Sequence, residues 1–388
     1  MSEDRLKVLI VDDTALYRRI LSDVLDGFPE VEVVGTAPHG RLALAKLEQN
    51  PADLVLLDVE MPEMDGPETL REIRQHHRST AVIMISGSNL IAVNYTVQAL
   101  EMGALDFIRK PEGVSADASR AELRDLLRPL IRHVQTRVNL NRVDAPEPVK
   151  SAPVVRFRSE IRSEPMLLGR PPALPTRPPT PSRQAPAPSR FDVVGIGVST
   201  GGPNALLEVI PHLPKDLPVP VLLVQHMPPI FTASLAEHLN QKSLLEVREA
   251  QEGEPVAAGR VYIAPGGKHM VIRRRTQSDG VEGFIIGLNE NPPENSCRPS
   301  VDVLFRSLAA NFDGNMLSVV MTGMGNDGCE GVRAMKRRGC HCITQSEETC
   351  VVYGMPFAVD EAELSDERVP LDRIADRIAS LVWKGRSH

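Results

Sequence analysis

FDVVGIGVSTGGP (191–203) decides the fold. Its first half is a short apolar run of the kind that makes a fully buried strand, and Gly201, Gly202 and Pro203 then break it and lead into a helix. A strand handing over to a helix through a glycine turn is the opening unit of an α/β sheet. The same rhythm continues downstream. VPVLLV (219–224), RVYIAP (260–265), MLSVVM (316–321) and HCIT (341–344) read as further strands, with helices over 300–310 and 328–337 among the connections. MVIRRR (270–275) and GFIIGL (283–288) alternate with period two and read as an antiparallel hairpin added to that sheet, giving about seven strands in a doubly wound, Rossmann-like domain.

The upstream third repeats the pattern independently. KVLIV (7–11), VEVVG (31–35), DLVLL (53–57), AVIMI (81–85) and DFI (106–108) are strand-like, and stretches such as ALYRRILSDVL and GRLALAKLEQ between them repeat apolar residues at three and four. Five strands alternating with helices predict a second parallel sheet, flavodoxin-like, with helices on both faces. Between the two lies a stretch of different character. Twelve of the fifty residues 141–190 are proline, and nine are basic against four acidic. Proline at that density removes amide donors, so the segment reads as an extended linker with an SH3-type ligand as the sharper alternative. The expected plan is a domain over 1–138, a Pro-rich linker over 139–190 and a domain over 191–388.

Composition excludes several classes. Of 388 residues 42% are hydrophobic and 24% charged, ordinary values for a globular chain, and the net charge of −7 argues against nucleic acid or an anionic membrane as the main partner. No apolar run approaches bilayer length, and the charged start MSEDRLKVLIVDD does not read as a signal peptide, so a cytoplasmic protein without direct membrane insertion is expected. Five cysteines without a CxxC pair fit a reducing compartment, and Cys340-His341-Cys342 would place its side chains on opposite faces of a strand, a poor zinc site.

Two constellations carry chemistry. In the first domain Asp12 and Asp13 end the first strand, Asp58 the third and Ser86 the fourth, while Lys110 follows the fifth. Ligands of open parallel sheets bind beyond the carboxyl ends of the strands, so these residues converge. Three carboxylates so placed demand a cation, and an oxygen-only set suits Mg²⁺; lysine and serine then suit phosphoryl oxygens. Each acid alone reads equally well as a helix cap or a solvated strand end.

In the second domain GIGVSTGGP admits three readings. Its glycines at 195, 197, 201 and 202 miss the dinucleotide spacing, and the next strand ends in Gln225-His226 without the acid that grips a ribose. Gly197-Val198-Ser199-Thr200-Gly201 matches a nucleophile elbow, and a plain helix-start turn is the third possibility. His226, with an ordinary pKa near 6.5, suits a proton shuttle for Ser199, although a lone histidine at a strand end is usually a surface residue. MTGMGNDG (321–328) places Asp327 at the start of a helix, where it orients the imidazole or merely caps the helix. The order Ser, His, Asp differs from the Ser, acid, His of α/β-hydrolases.

IVDDT, LLDVEMPEMDG, ISG and DFIRKP resemble the response-regulator receiver family over residues 5 to about 138. GVSTGGP, VQHMPP, APGGKHM, RPSVDVLF and TGMGNDG resemble the chemotaxis protein-glutamate methylesterase (CheB) family over about 191–385. The first resemblance implies a phosphate-accepting Asp58, Mg²⁺ held with Asp12 and Asp13, phosphate sensing by Ser86 and Lys110, Phe107 as the aromatic switch, and a CheA-type histidine kinase as donor. The second implies Ser199 as nucleophile, His226 as base then acid, Asp327 behind it, and Thr200 and the Met324 amide as auxiliary and oxyanion groups. It further implies hydrolysis of glutamate γ-methyl esters on chemoreceptors and deamidation of receptor glutamines, with no cofactor for the hydrolysis, in a monomer whose receiver blocks the crevice until phosphorylated. A DNA-binding regulator and a catalytically silent scaffold are the alternatives: the large α/β output half counts against the first, the intact Ser199, His226 and Asp327 against the second.

Overall fold

The computed structural model describes residues 5–87, 89–111, 116–143, 190–276, 282–312 and 315–384. Most of the expected linker, and with it the SH3-ligand reading, falls outside these residues. The first sheet comprises β1 (Leu6–Val11), β2 (Val31–Ala37), β3 (Leu54–Asp58), β4 (Ala81–Ser86) and β5 (Asp106–Arg109), all parallel in the order β2-β1-β3-β4-β5. Both faces are covered, by α1 (Ala15–Leu25), α2 (Gly40–Gln49), α3 (Gly66–His76), α4 (Leu90–Glu101) and α5 (Ala116–Val143). This is why its strands are almost continuously apolar. Helix α5 runs five residues past the boundary expected at 138.

The second sheet contains β6 (Val193–Val198), β7 (Val221–Gln225), β8 (Glu246–Glu249) and β9 (Arg260–Ile263). A two-stranded antiparallel ladder follows, β10 (His269–Thr276) with β11 (Glu282–Asn289), and then β12 (Met316–Val320), β13 (His341–Gln345) and β14 (Glu367–Val369). The parallel order is β14-β13-β12-β6-β7-β9-β8. The expected hairpin exists but forms its own sheet. The seven-strand count is completed instead by β8 and β14, four and three residues long, too short and too charged to read as strands. Around the sheet lie α6 (Gly202–Val209), α7 (Phe231–Lys242), α8 (Val301–Asn311), α9 (Cys329–Lys336), α10 (Met355–Glu361) and α11 (Leu371–Trp383).

The glycines of β6 serve packing. A Cβ on Gly195 would stand 2.8 Å from Leu308, and one on Gly197 2.4 Å from Val301, so both let α8 lie against the strand. The chain enters this sheet at β6 and winds outward first through β7 and later through β12, which puts the switch in winding direction at the carboxyl ends of β6, β7 and β12. A crevice forms there for topological reasons alone.

The two domains meet face to face. Val93 of α4 belongs to the second domain's buried core, and Val351 packs against that of the first. Phe107 of β5 stacks on Phe231 of α7 with ring centroids 4.8 Å apart.

Candidate active site

Ser199, His226 and Asp327 come from the ends of β6, β7 and β12, and a lattice of hydrogen bonds fixes the three loops. Gln225 Nε2 donates to the carbonyls of both Ser199 and His226 at 3.1 Å, and the His226 amide donates to Val198 O. The Ser199 amide donates to Thr322 O, and Thr322 Oγ1 to Thr200 O. Gly323 is tied to the Ser199 loop by closeness: a Cβ there would come within 2.7 Å of Ser199 Cβ. None of these bonds uses the amides of Thr200 and Met324, which donate to no acceptor among the described residues.

Asp327 is 2% exposed and accepts six hydrogen bonds. His226 Nε2 donates at 2.8 Å and the Val301 amide at 2.7 Å to Oδ2; Asn295 Nδ2, Ser300 Oγ and the amides of Asp302 and Gly328 donate to Oδ1. The sequence offered Asp327 as a cap for the helix that follows it. It instead satisfies the open amides at the start of α8, whose positive end also favours its charge. Burial alone would raise its pKa, but the His226 hydrogen bond and charge, with the backbone donors, hold the carboxyl far below the usual range.

His226 departs from the ordinary histidine the sequence suggested. Burial works against its charge, yet the bonds to Asp327 and Cys297 outweigh that and raise its pKa to about 9. Its second ring nitrogen, Nδ1, faces Cys297 Sγ at 3.5 Å. Among the described residues the Ser199 hydroxyl makes no hydrogen bond to the ring, and the Thr200 hydroxyl makes none. Asp302, raised to about 6 chiefly by burial and opposed first by the Gly331 amide, shares Asn295 with Asp327.

Across the domain seam, Asp106 of β5 reaches the same loop. It is buried, and its Oδ2 accepts the Gly201 amide at 2.8 Å, two residues from Ser199. Burial raises its pKa to about 6 against the pull of the Gly201 and Phe107 amides. Asn204 Nδ2 donates to the carbonyls of Ala104 and Leu105, Ser234 Oγ to Asn94, and Lys242 pairs with Glu101 at 3.0 Å. Beside Met324 a cleft of about 730 Å³ opens on the seam, walled by Arg128, Arg132 and His133 of α5 and by Glu347 and Tyr353 opposite.

The first domain's cluster assembles as its strand ends require. Ligand oxygens of Asp12, Asp13 and Asp58 lie within 4.8 Å of one another, and Lys110 Nζ bridges Asp58 at 2.7 Å and Asp12 at 2.8 Å. Burial first, and then Asp12, push Asp58 to about 7 despite Lys110. One ammonium for three crowded carboxylates leaves negative charge over, and an all-oxygen donor set suits a hard divalent cation. Ser86 is placed less directly: its hydroxyl accepts from Thr96 at 2.7 Å and donates to Gly87 O, and is not bonded to Asp58. No other metal-like group occurs among the described residues; in the Cys340-His341-Cys342 stretch His341 pairs with Glu367.

Sequence reasoning missed Asp106, Cys297, Asn295 and Ser300. Asp106 was legible only as part of a strand, and the other three belong to a connection whose folding back over the crevice left no periodicity to read.

Residues 194–378 match the family described as CheB methylesterase, and residues 8–120 the response regulator receiver domain. The protein-glutamate methylesterase/protein-glutamine glutaminase of Desulfotalea psychrophila is 42% identical over 379 residues, covering 97% of this chain and 98% of its own. That of Bacillus subtilis is 40% identical over 385 residues, covering 98% and 99%. The crystal structure of the Thermotoga maritima CheB methylesterase catalytic domain is 41% identical, covers 50% of this chain and 99% of its own, and superposes with a TM-score of 0.47.

Proposed function

The chain belongs to the CheB methylesterase family, carrying a receiver ahead of the catalytic domain, and from that premise we propose that it hydrolyses glutamate γ-methyl esters on chemoreceptors under phosphorylation control. The observation that carries the hydrolytic half is the carboxylate–imidazole pair of Asp327 and His226 at 2.8 Å, set in the crevice beside the loop of Ser199. Ser199 Oγ attacks the ester carbonyl and passes its proton to Nδ1, the nitrogen Asp327 leaves open. The amides of Thr200 and Met324 receive the charge on the carbonyl oxygen. His226 then protonates the departing methanol, and water reverses the sequence to free the glutamate. The same steps release ammonia from glutamine, whose poorer leaving group makes that reaction the slower one.

Control rests on the seam. Asp58 accepts the phosphoryl group from a histidine kinase of the CheA type, and Asp12, Asp13 and Asp58 would hold Mg²⁺ beside it. When bound, such an ion would supply positive charge to offset that of the transferring group. Lys110, already on Asp58, turns to the phosphoryl oxygens, and Ser86 breaks from Thr96 to follow. Phe107 and Asp106 lie on the strand that ends next to Lys110, and both touch the catalytic domain. The added charge, about −1.5 to −2, thus acts on the strand whose residues hold the domains together, while α5 walls the cleft beside Met324. The chain is proposed to act as a monomer in the cytoplasm. Ser199→Ala should reduce methanol release from methylated receptor by about 10⁴ or more. A fragment beginning at Phe191 should outpace the unphosphorylated whole; release at the parent rate by the serine variant would remove the reading.

A further inference from the structure

Cys297 occupies the position that the proposed nucleophile needs. Asp327 holds Nε2 of His226, so the proton from Ser199 has only Nδ1 to go to, and Nδ1 already faces Cys297 Sγ at 3.5 Å. A tight turn puts the thiol there. Glu294 and Cys297 exchange backbone hydrogen bonds at 3.0 and 2.9 Å, with Asn295 and Ser296 between them at φ of 52° and 62°. Two successive side-chain-bearing residues in the left-handed region are disfavoured, and such turns persist only where surrounding contacts impose them. Those contacts lead to the catalytic acid: Asn295 Nδ2 bridges Asp302 and Asp327 at 2.9 Å each, and both Glu294 oxygens take the Arg306 guanidinium. The turn that carries the thiol is therefore anchored to the same carboxylate that carries the imidazole.

We propose that Cys297 is a positioning residue for the hydrolytic site, its thiol holding Nδ1 of His226 until the Ser199 hydroxyl displaces it. The proposal rests on Ser199 being the nucleophile. A thiol suits the task because it is a weak hydrogen-bond donor and acceptor. It fixes the ring, with Nε2 on Asp327, yet gives way to a hydroxyl aligned by bound substrate. The groups facing the ring are Asp327 and Cys297, with Asp302 and the Glu294–Arg306 pair behind them. The other four cysteines are buried, and burial drives their thiols up, Cys340 to about 11 and Cys350 to about 12. Only Cys297 is partly open and set against a histidine.

The test uses the full chain with ¹⁵N-labelled histidine, as parent, Cys297→Ala and Cys297→Ser. NMR titration reads His226 without reference to activity, and methanol release against pH reads its use. Loss of the thiol should lower the His226 midpoint by about half a unit, which raises kcat/KM about threefold near neutrality, while release on the high-pH plateau falls about threefold because the ring is no longer held. The serine variant, a stronger partner for Nδ1, should lower kcat about tenfold, roughly the strength of one hydrogen bond, at unchanged KM. An unmoved His226 titration in both variants would refute the contact; moved titrations with parental rates in both would refute the positioning role. Should Ser199→Ala remain active, the hydrolytic reading fails while the titration still decides whether Cys297 holds the ring.

Discussion

Both domains gather charge at the carboxyl ends of parallel strands, and they balance it in opposite ways. Around Asp327 donors abound: six hydrogen bonds converge on one buried carboxylate, whose pKa is held far down while its imidazole partner is held up to about 9. Around Asp58 donors are scarce: one lysine serves two carboxylates with a third nearby, and Asp58 is pushed to about 7. A site whose charge is fully compensated keeps its geometry and acts as a fixed tool. A site short of positive charge is poised to change when a cation or a phosphoryl group arrives, which is what a switch requires.

Removing the switch should be all or none. Asp58→Asn should accept no label from acetyl phosphate in the presence of Mg²⁺, and label retained elsewhere in the cluster would break the contrast. Asp327→Asn leaves the fixed site without its charge and turns an acceptor toward a donor amide. In triads of this kind the buried acid-to-amide change costs about 10⁴ in kcat, and a loss of only a few-fold in methanol release would show that the donors, not the charge, matter. The aromatic stack of Phe107 on Phe231 joins the two domains. Truncating a buried interface anchor typically costs about 2 kcal/mol, so Phe231→Ala should raise the basal rate of the unphosphorylated chain about thirtyfold. An unchanged basal rate would mean that the seam does not restrain the enzyme.

The last expectation is a dependence on pH. With deprotonated His226 as the proposed base, kcat/KM should rise about tenfold per unit up to an apparent pKa near 9. Stability should move the other way. A raised folded-state pKa means that the His226–Asp327 pair contributes in full below the unfolded value of about 6.5. That contribution is lost as pH rises through about 9. Denaturant titrations at pH 6 and pH 9.5 check the sign, and the slope should disappear in the Asp327→Asn variant.

Periodicity and strand-end chemistry made much of this legible in the one-dimensional chain. The five receiver strands, the buried run ending at Ser199, and Asp12, Asp58 and Lys110 at strand ends could be read because parallel sheets bury both faces and bring strand ends together. The short charged edges β8 and β14 could not, since an edge strand of three or four residues needs neither a buried face nor an apolar run. The hairpin's pairing was legible from its alternation, but its separation from the main sheet was not.

What the sequence determined by itself was the identity of the chemical groups and the sheet that lines them up, because both follow from local pattern. Tertiary structure alone decided how those groups are tuned. Asp327 caps a helix that begins 26 residues before it, Cys297 returns on a strained turn to His226, and Asp106 crosses the domain seam to the Gly201 amide. Such contacts join residues 26 to 95 positions apart, and no local pattern encodes them. A pKa is set by what stands within a few ångströms in space, whatever the distance along the chain.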